Sequence, residues 1–242
     1  SVRIAGPTKP LPCLRVLGSN TPAVPVRAKS IEIADIGELK ERLAAAASVQ
    51  DYPERHLKIA AVLTQALAIV GVAPILVGGG AVEIYTAGAY STGDVDLIAP
   101  EGKEVAVVLS SLGFEKRGQN WTQGQLQIFV EFPAKTLRAG EEFVVVTVEG
   151  VAVKVVSPED LVVERLRSFK LYGATADAVN ALLILGSTPE FDHKRAAKRA
   201  SKEEVRDAYD GLSQILRRIE RGLVASESAN GMLEALLKKI RP

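Results

Sequence analysis

Three consecutive glycines, Gly78-Gly79-Gly80, follow directly on the apolar run Pro74-Ile75-Leu76-Val77. A short apolar run closed by glycine is the pattern of a buried strand that ends in a sharp change of direction. Without Cβ atoms, the backbone there can approach other groups closely and adopt conformations closed to other residues. The chain then passes Ala81–Ala87, long enough for a short helix, and reaches Asp94–Ala99, which reads as a second strand. Strand, glycine break, helix and strand together predict an α+β (mixed α/β) fold, a small mixed sheet flanked by helices.

The flanks fit this frame. Residues 1–30 carry Pro7, Pro10, Pro12, Pro22 and Pro25 and read as an extended arm. Helices are expected over Ile36–Ser48, with Asp35 as N-cap, and over Pro53–Val70. Beyond the second strand come a helix over Glu101–Leu112, a strand over Gln125–Phe132, and a hairpin of Phe143–Val148 and Val151–Val156 turning at Glu149-Gly150. Ser157-Pro158-Glu159-Asp160 has the form of a helix start: cap, proline, then acids in the first turn. From there the chain reads as helical, with an apolar stripe at Val205, Ala208, Tyr209, Leu212, Ile215, Leu216 and Ile219, and a last helix after a break at Gly231. The expected division is an arm (1–30), a catalytic-type domain with leading helices (31–156) and a helical region (157–242).

Composition removes several alternatives. Hydrophobic residues make up 47% and charged residues 24% of 242, which suits a folded core. The net charge of +1 gives no global attraction to nucleic acid or to an anionic membrane. Cys13 is the sole cysteine, so no internal disulfide forms, and His56 and His193 have no Cys/His cluster around them that would hold zinc. No apolar run of about 18 residues is present and no basic-then-apolar leader opens the chain, so a cytoplasmic location without membrane attachment is expected. The glycines do not fit a dinucleotide fingerprint, because Glu83 stands where the third glycine belongs. No Gly-Lys-Ser/Thr follows that would make a P-loop.

Asp94 and Asp96 carry the chemistry. Two residues apart on a strand, they point to one face, while Val95 and Leu97 point to the other. Two carboxylates brought together this way repel, and a hard divalent cation such as magnesium relieves the repulsion while also binding substrate phosphates. A third acid is expected from a neighbouring strand. Glu131 is the candidate, set against the reading of an exposed glutamate on an edge strand. In a site with two metal ions, the third carboxylate takes the general-base role. The backbone of Gly78, Gly79 and Gly80 can approach phosphate, and the hydroxyls of Ser91 and Thr92 lie just before the acids. Arg165 and Lys170, on the helix after Pro158, either reach a triphosphate or form a solvated face. His193, Lys194, Arg195, Lys198, Arg199 and Lys202 either hold an RNA backbone or are balanced by Glu203, Glu204 and Asp207.

Hydrophobic-Gly-Gly, a spacer, then Asp-hydrophobic-Asp-hydrophobic resembles the nucleotidyltransferase signature of the DNA polymerase beta superfamily. The finer pattern, Gly-Gly-Gly-Ala-Val-Glu-Ile-Tyr-Thr with Tyr90-Ser91-Thr92-Gly93-Asp94-Val95-Asp96, is similar to small prokaryotic nucleotidyltransferase-like proteins. The similarity continues in Val130-Glu131-Phe132-Pro133 and in Ser157-Pro158-Glu159-Asp160-Leu161 with Arg165-Leu166. The resemblance implies a polymerase-beta-type fold, two Mg2+ ions with a bound NTP, and transfer of NMP to an acceptor hydroxyl on RNA, tRNA or protein. It implies phosphate contacts at Gly79 and Gly80, metal ligation by Asp94 and Asp96, and a third acid at Glu131. One departure is Tyr90, which stands where related abortive-infection toxins carry arginine. A non-catalytic nucleotide-binding or regulatory partner in a toxin–antitoxin-like pair is therefore the alternative expectation, and the C-terminal helices are a candidate homodimer surface.

Overall fold

A computed structural model describes residues 33–241 except 224, 226 and 227. The proline-rich arm lies outside the described residues. The chain packs as two compact units: one holds the described residues up to Ile84 together with Ser91–Val156, the other Tyr85–Tyr90 and the chain from Ser157 onward.

The first unit is a mixed α/β layer. Helices α1 (Ile33–Ala47) and α2 (Tyr52–Ala68) precede β1 (Ile75–Val77), α3 (Gly78–Tyr85, whose last residue belongs to the second unit), β2 (Asp94–Ile98) and α4 (Lys103–Ser111). Strands β3 (Glu115–Arg117), β4 (Asn120–Gln123), β5 (Ile128–Glu131), β6 (Phe143–Val148) and β7 (Val151–Val156) complete a seven-stranded sheet of order β3-β4-β5-β2-β1-β7-β6. The pairings β1–β7 and β2–β5 are parallel and the others antiparallel. The mixed α/β expectation holds.

Alternation decides which side of the sheet is core. Leu76 pairs with Leu97, and Val95 pairs with Val130, which in turn faces Trp121 on β4. All five are buried, forming one continuous apolar face. Helix α2 packs on β7 and β6 and against α1 and α4. Fully burying a leucine such as Leu63 or Leu67 contributes about 1.5–3 kcal/mol. Asp51 caps α2 by accepting the amide hydrogen of Glu54 at 3.0 Å, with Pro53 in the first turn.

Several boundaries differ from expectation, each for a local reason. Helix α1 begins at Ile33, so Asp35 lies inside it rather than at its cap. Helix α2 stops before Val70, and Gly71 takes a left-handed φ of 73°. Helix α3 starts at Gly78 rather than Ala81: the glycine run after the strand opens the helix, as expected, and also forms its first turn. The strand expected from Gln125 starts only at Ile128, because Gln127 at φ 52° interrupts the extended chain. Strands β3 and β4 carry almost no apolar alternation; β3 is charged and exposed at the sheet edge, where charge discourages pairing with other chains. Trp121 on β4 is a core residue, with its indole donating to Glu101 at 2.8 Å. The β6–β7 hairpin turns where expected, through Glu149 at φ 48° and Gly150 at φ 82°, the two positive values a tight turn of this hand needs.

The second unit is helical: α5 (Pro158–Tyr172), α6 (Thr175–Ser187), α7 (His193–Lys202), α8 (Arg206–Glu220) and α9 (Ala229–Ile240). Ser157 caps α5 by accepting from Asp160 N at 3.2 Å, and Gly173 ends it at φ 75°. The stripe on α8 is buried from Ala208 to Leu216 against α6, α7 and α9. Between α7 and α8, Glu204 adopts φ 58° and Val205 N reaches back to Ala200 O at 2.8 Å, so one charged segment becomes two helices. Gly231 lies within α9 instead of breaking it. No described helix is long and apolar enough to cross a membrane.

Candidate active site

Strand β2 presents its residues alternately: Asp94, Asp96 and Ile98 are half-buried on one face, while Val95 and Leu97 are buried on the other. Strand β5 runs parallel beside it with Asp96 opposite Glu131 and Asp94 opposite Phe129. Directly opposed residues share a face. Asp94, Asp96, Glu131 and Phe129 therefore lie on the face opposite the apolar core, and Phe129 is exposed there. On β4, Asn120 and Thr122 continue that face opposite Glu131 and Phe129.

The glycine turn meets this face at Asp96. Gly79 N donates to Asp96 Oδ2 at 3.2 Å, so the carboxylate sits at the positive end of α3. Gly78 takes φ 62°, and a Cβ there would stand 1.9 Å from the same oxygen. A Cβ on Gly79 would meet Thr92 Oγ1 at 2.9 Å, whereas one on Gly80 would find ordinary contact, 3.5 Å from Leu76 Cδ1. Thr92 Oγ1 also accepts from Asp94 N at 3.4 Å, tying the segment before β2 to the first acid. Ser91 is exposed.

Behind the turn is a feature not foreseen from the sequence. His56 on α2 bonds through Nδ1 to Glu83 on α3, and both side chains are buried. The pair fixes the glycine-opened helix to α2. Glu83 falls among apolar neighbours in the sequence, and a lone acid in an otherwise apolar helix is the signal that could have pointed to a buried partner.

Arg165 and Lys170 are engaged inside their own helical unit. Arg165 Nη1 donates to Asp177 Oδ1 at 2.9 Å. Burial opposes the charge on Arg165, but the Glu164 and Asp177 carboxylates outweigh it and hold the guanidinium above its ordinary range. Lys170 Nζ donates to Asp207 Oδ2 at 2.8 Å and to the Glu204 carbonyl at 2.9 Å. In the same unit, Glu159 and Asp160 do more than favour a helix start. Arg195 bonds to Ser157, Glu159 and Asp160, and Arg199 bonds to Asp160 at 2.9 Å.

Asp94, Asp96 and Glu131 offer only hard oxygen donors, the chemistry magnesium prefers. Among the described residues no three or more His, Cys, Asp or Glu side chains are gathered to hold a metal ion. The fit to magnesium is thus one of donor type and shared face. A cavity of about 220 Å³ lined by Val70, Val72, Pro100, Glu101, Gly102, Glu104, Val105 and Lys135 includes none of the candidate residues.

No protein-family model matches the chain, and no curated protein matches it. Among solved structures it is similar to the crystal structure of an antigenic nucleotidyltransferase-like protein from Paracoccidioides brasiliensis. Identity is 16% and the TM-score 0.47, over 73% of this chain and 93% of that one.

Proposed function

We propose that the chain is a magnesium-dependent nucleotidyltransferase that moves NMP from an NTP to an acceptor hydroxyl. The observation that supports this most is the placing of Asp94 and Asp96 on one face of β2, with Glu131 in register on β5 and the Gly78–Gly80 turn held to Asp96. In this reading Asp94, Asp96 and Glu131 hold the metal. When bound, magnesium lowers the pKa of the attacking hydroxyl and neutralises charge on the phosphates.

The chain's own groups have distinct tasks. The carboxylate of Glu131 accepts the proton of the acceptor hydroxyl. The first-turn amides of α3 offer hydrogen bonds to the phosphates, with Gly79 N already committed to Asp96. Thr92 Oγ1 accepts from Asp94 N, which leaves its hydroxyl hydrogen to donate to a phosphate. Arg165 and Lys170 keep their carboxylate partners, and the site is built without them.

The test is incubation with each α-labelled NTP, magnesium and total RNA or lysate, comparing the native chain with Asp94→Asn, Asp96→Asn and the double variant. Label should pass to an acceptor only with the native acids present. A second reading, a non-catalytic nucleotide-binding module, draws support from the hydrogen bond that commits Asp96 to the glycine turn. NTP binding by calorimetry without pyrophosphate release would favour that reading.

A further inference from the structure

Helix α7 carries Lys194, Arg195, Lys198, Arg199 and Lys202 and not one acidic residue. The fold divides these five cations by direction. Arg195 and Arg199 turn inward to Glu159 and Asp160 and pin the helix to the start of α5. Lys194, Lys198 and Lys202 are all exposed and form no ion pair among the described residues. The other cations nearby are committed: Arg167 pairs with Glu203, Lys170 with Asp207 and Arg206 with Asp210.

Four-residue spacing puts the three lysines on one side of the helix, about 6 Å apart along its axis. Like charges at this spacing destabilise a helix by a few tenths of a kcal/mol per pair. A helix serving packing alone would gain from a glutamate among them.

We infer that the Lys194–Lys198–Lys202 line is a track for the phosphodiester backbone of a single-stranded nucleic acid. The row repeats in one dimension, as a polyanionic strand does, and its anchored helix presents it without further ordering. A bilayer fits less well: the apolar residues of α7 are alanines alone, so the helix offers no large apolar group for insertion beside its lysines. This inference stands on charge placement alone; joined to the proposed transferase reading, it makes a nucleic-acid strand the acceptor.

The test is fluorescence anisotropy with labelled oligouridylate, titrated at several salt concentrations without NTP or magnesium. The triple variant Lys194→Gln, Lys198→Gln, Lys202→Gln should weaken binding. It should also lower the slope of log K against log salt by about 2, since each single-strand phosphate that a lysine neutralises adds about 0.7 to that slope. Circular dichroism checks that the helices persist. Lys238→Gln with Lys239→Gln, two exposed lysines on α9, is the control and should leave both quantities unchanged. Unchanged binding in the triple variant, or equal weakening in the control, overturns the inference. So does loss of binding to phosphatidylserine vesicles with RNA binding intact. Asp94→Asn with Asp96→Asn separates this inference from the proposed activity, since that variant should still bind RNA through the lysines.

Discussion

Substituting alanine at the three glycines in turn should give three different outcomes, although the residues are neighbours of identical type. At Gly78 the backbone is left-handed, φ 62°, and the new Cβ would lie 1.9 Å from Asp96 Oδ2. The left-handed conformation costs about 1–2 kcal/mol for an L-residue. Forcing a methyl against the carboxylate adds about 1–3 kcal/mol. A combined loss near 3 kcal/mol corresponds to about 6–12 °C in Tm for a chain of this size. At Gly80 the methyl finds ordinary contact, and alanine in place of glycine within a helix contributes up to about 1 kcal/mol, raising Tm by about 2–4 °C. Gly79→Ala should fall between: Thr92 Oγ1 at 2.9 Å and Cβ at 3.0 Å crowd the methyl, but the backbone there is not left-handed. Differential scanning fluorimetry and urea denaturation give the order directly. If Gly80→Ala destabilises as much as Gly78→Ala, or Gly78→Ala leaves Tm unchanged, the close approach of turn and carboxylate is wrong.

Two further outcomes test the frame around the turn. Glu83→Ala leaves the buried His56 ring nitrogen without its hydrogen-bond partner and should cost about 1–3 kcal/mol in urea unfolding, much of it recovered when His56→Leu is combined with Glu83→Leu; no measurable loss would show the pair to be incidental. Glu101 is held below the ordinary carboxylate range by the Lys116 ammonium, against partial burial, with the Trp121 indole adding to the effect. Its contribution to stability is therefore present above the ordinary glutamate pKa and is lost as pH falls through the lower folded value. Trp121 is the chain's one tryptophan, so its emission should report that titration below pH 4.5, and Glu101→Gln should abolish the change.

The strand carrying Asp94 and Asp96 was legible because alternation and flanking glycines are both local signals, and burial on one side of the sheet enforced the pattern. Glu131 was placed on the right strand for the same reason, since Phe129 and Glu131 alternate with Ile128 and Val130. What escaped the sequence was non-local. The charged edge strand β3 takes its conformation from pairing with β4, not from its own residues. The His56–Glu83 pair joins positions on two helices that no spacing rule connects. In the basic segment from His193 to Lys202 sequence alone does not tell the cations apart; only inward packing against Glu159 and Asp160 separates the arginines from the lysines. Gln127 and Glu204, left-handed without being glycine, set element ends that propensity alone does not mark.

Asp94, Asp96 and Glu131 share one sheet face, and the proposed chemistry needs all three. Pyrophosphate release from labelled NTP, followed in magnesium with cellular RNA as acceptor, is the decisive assay. The native chain should release pyrophosphate and label the acceptor, with chelation of the metal or loss of both β2 aspartates stopping both. Turnover that continues undiminished in the doubly substituted chain would mean that these aspartates hold no catalytic metal.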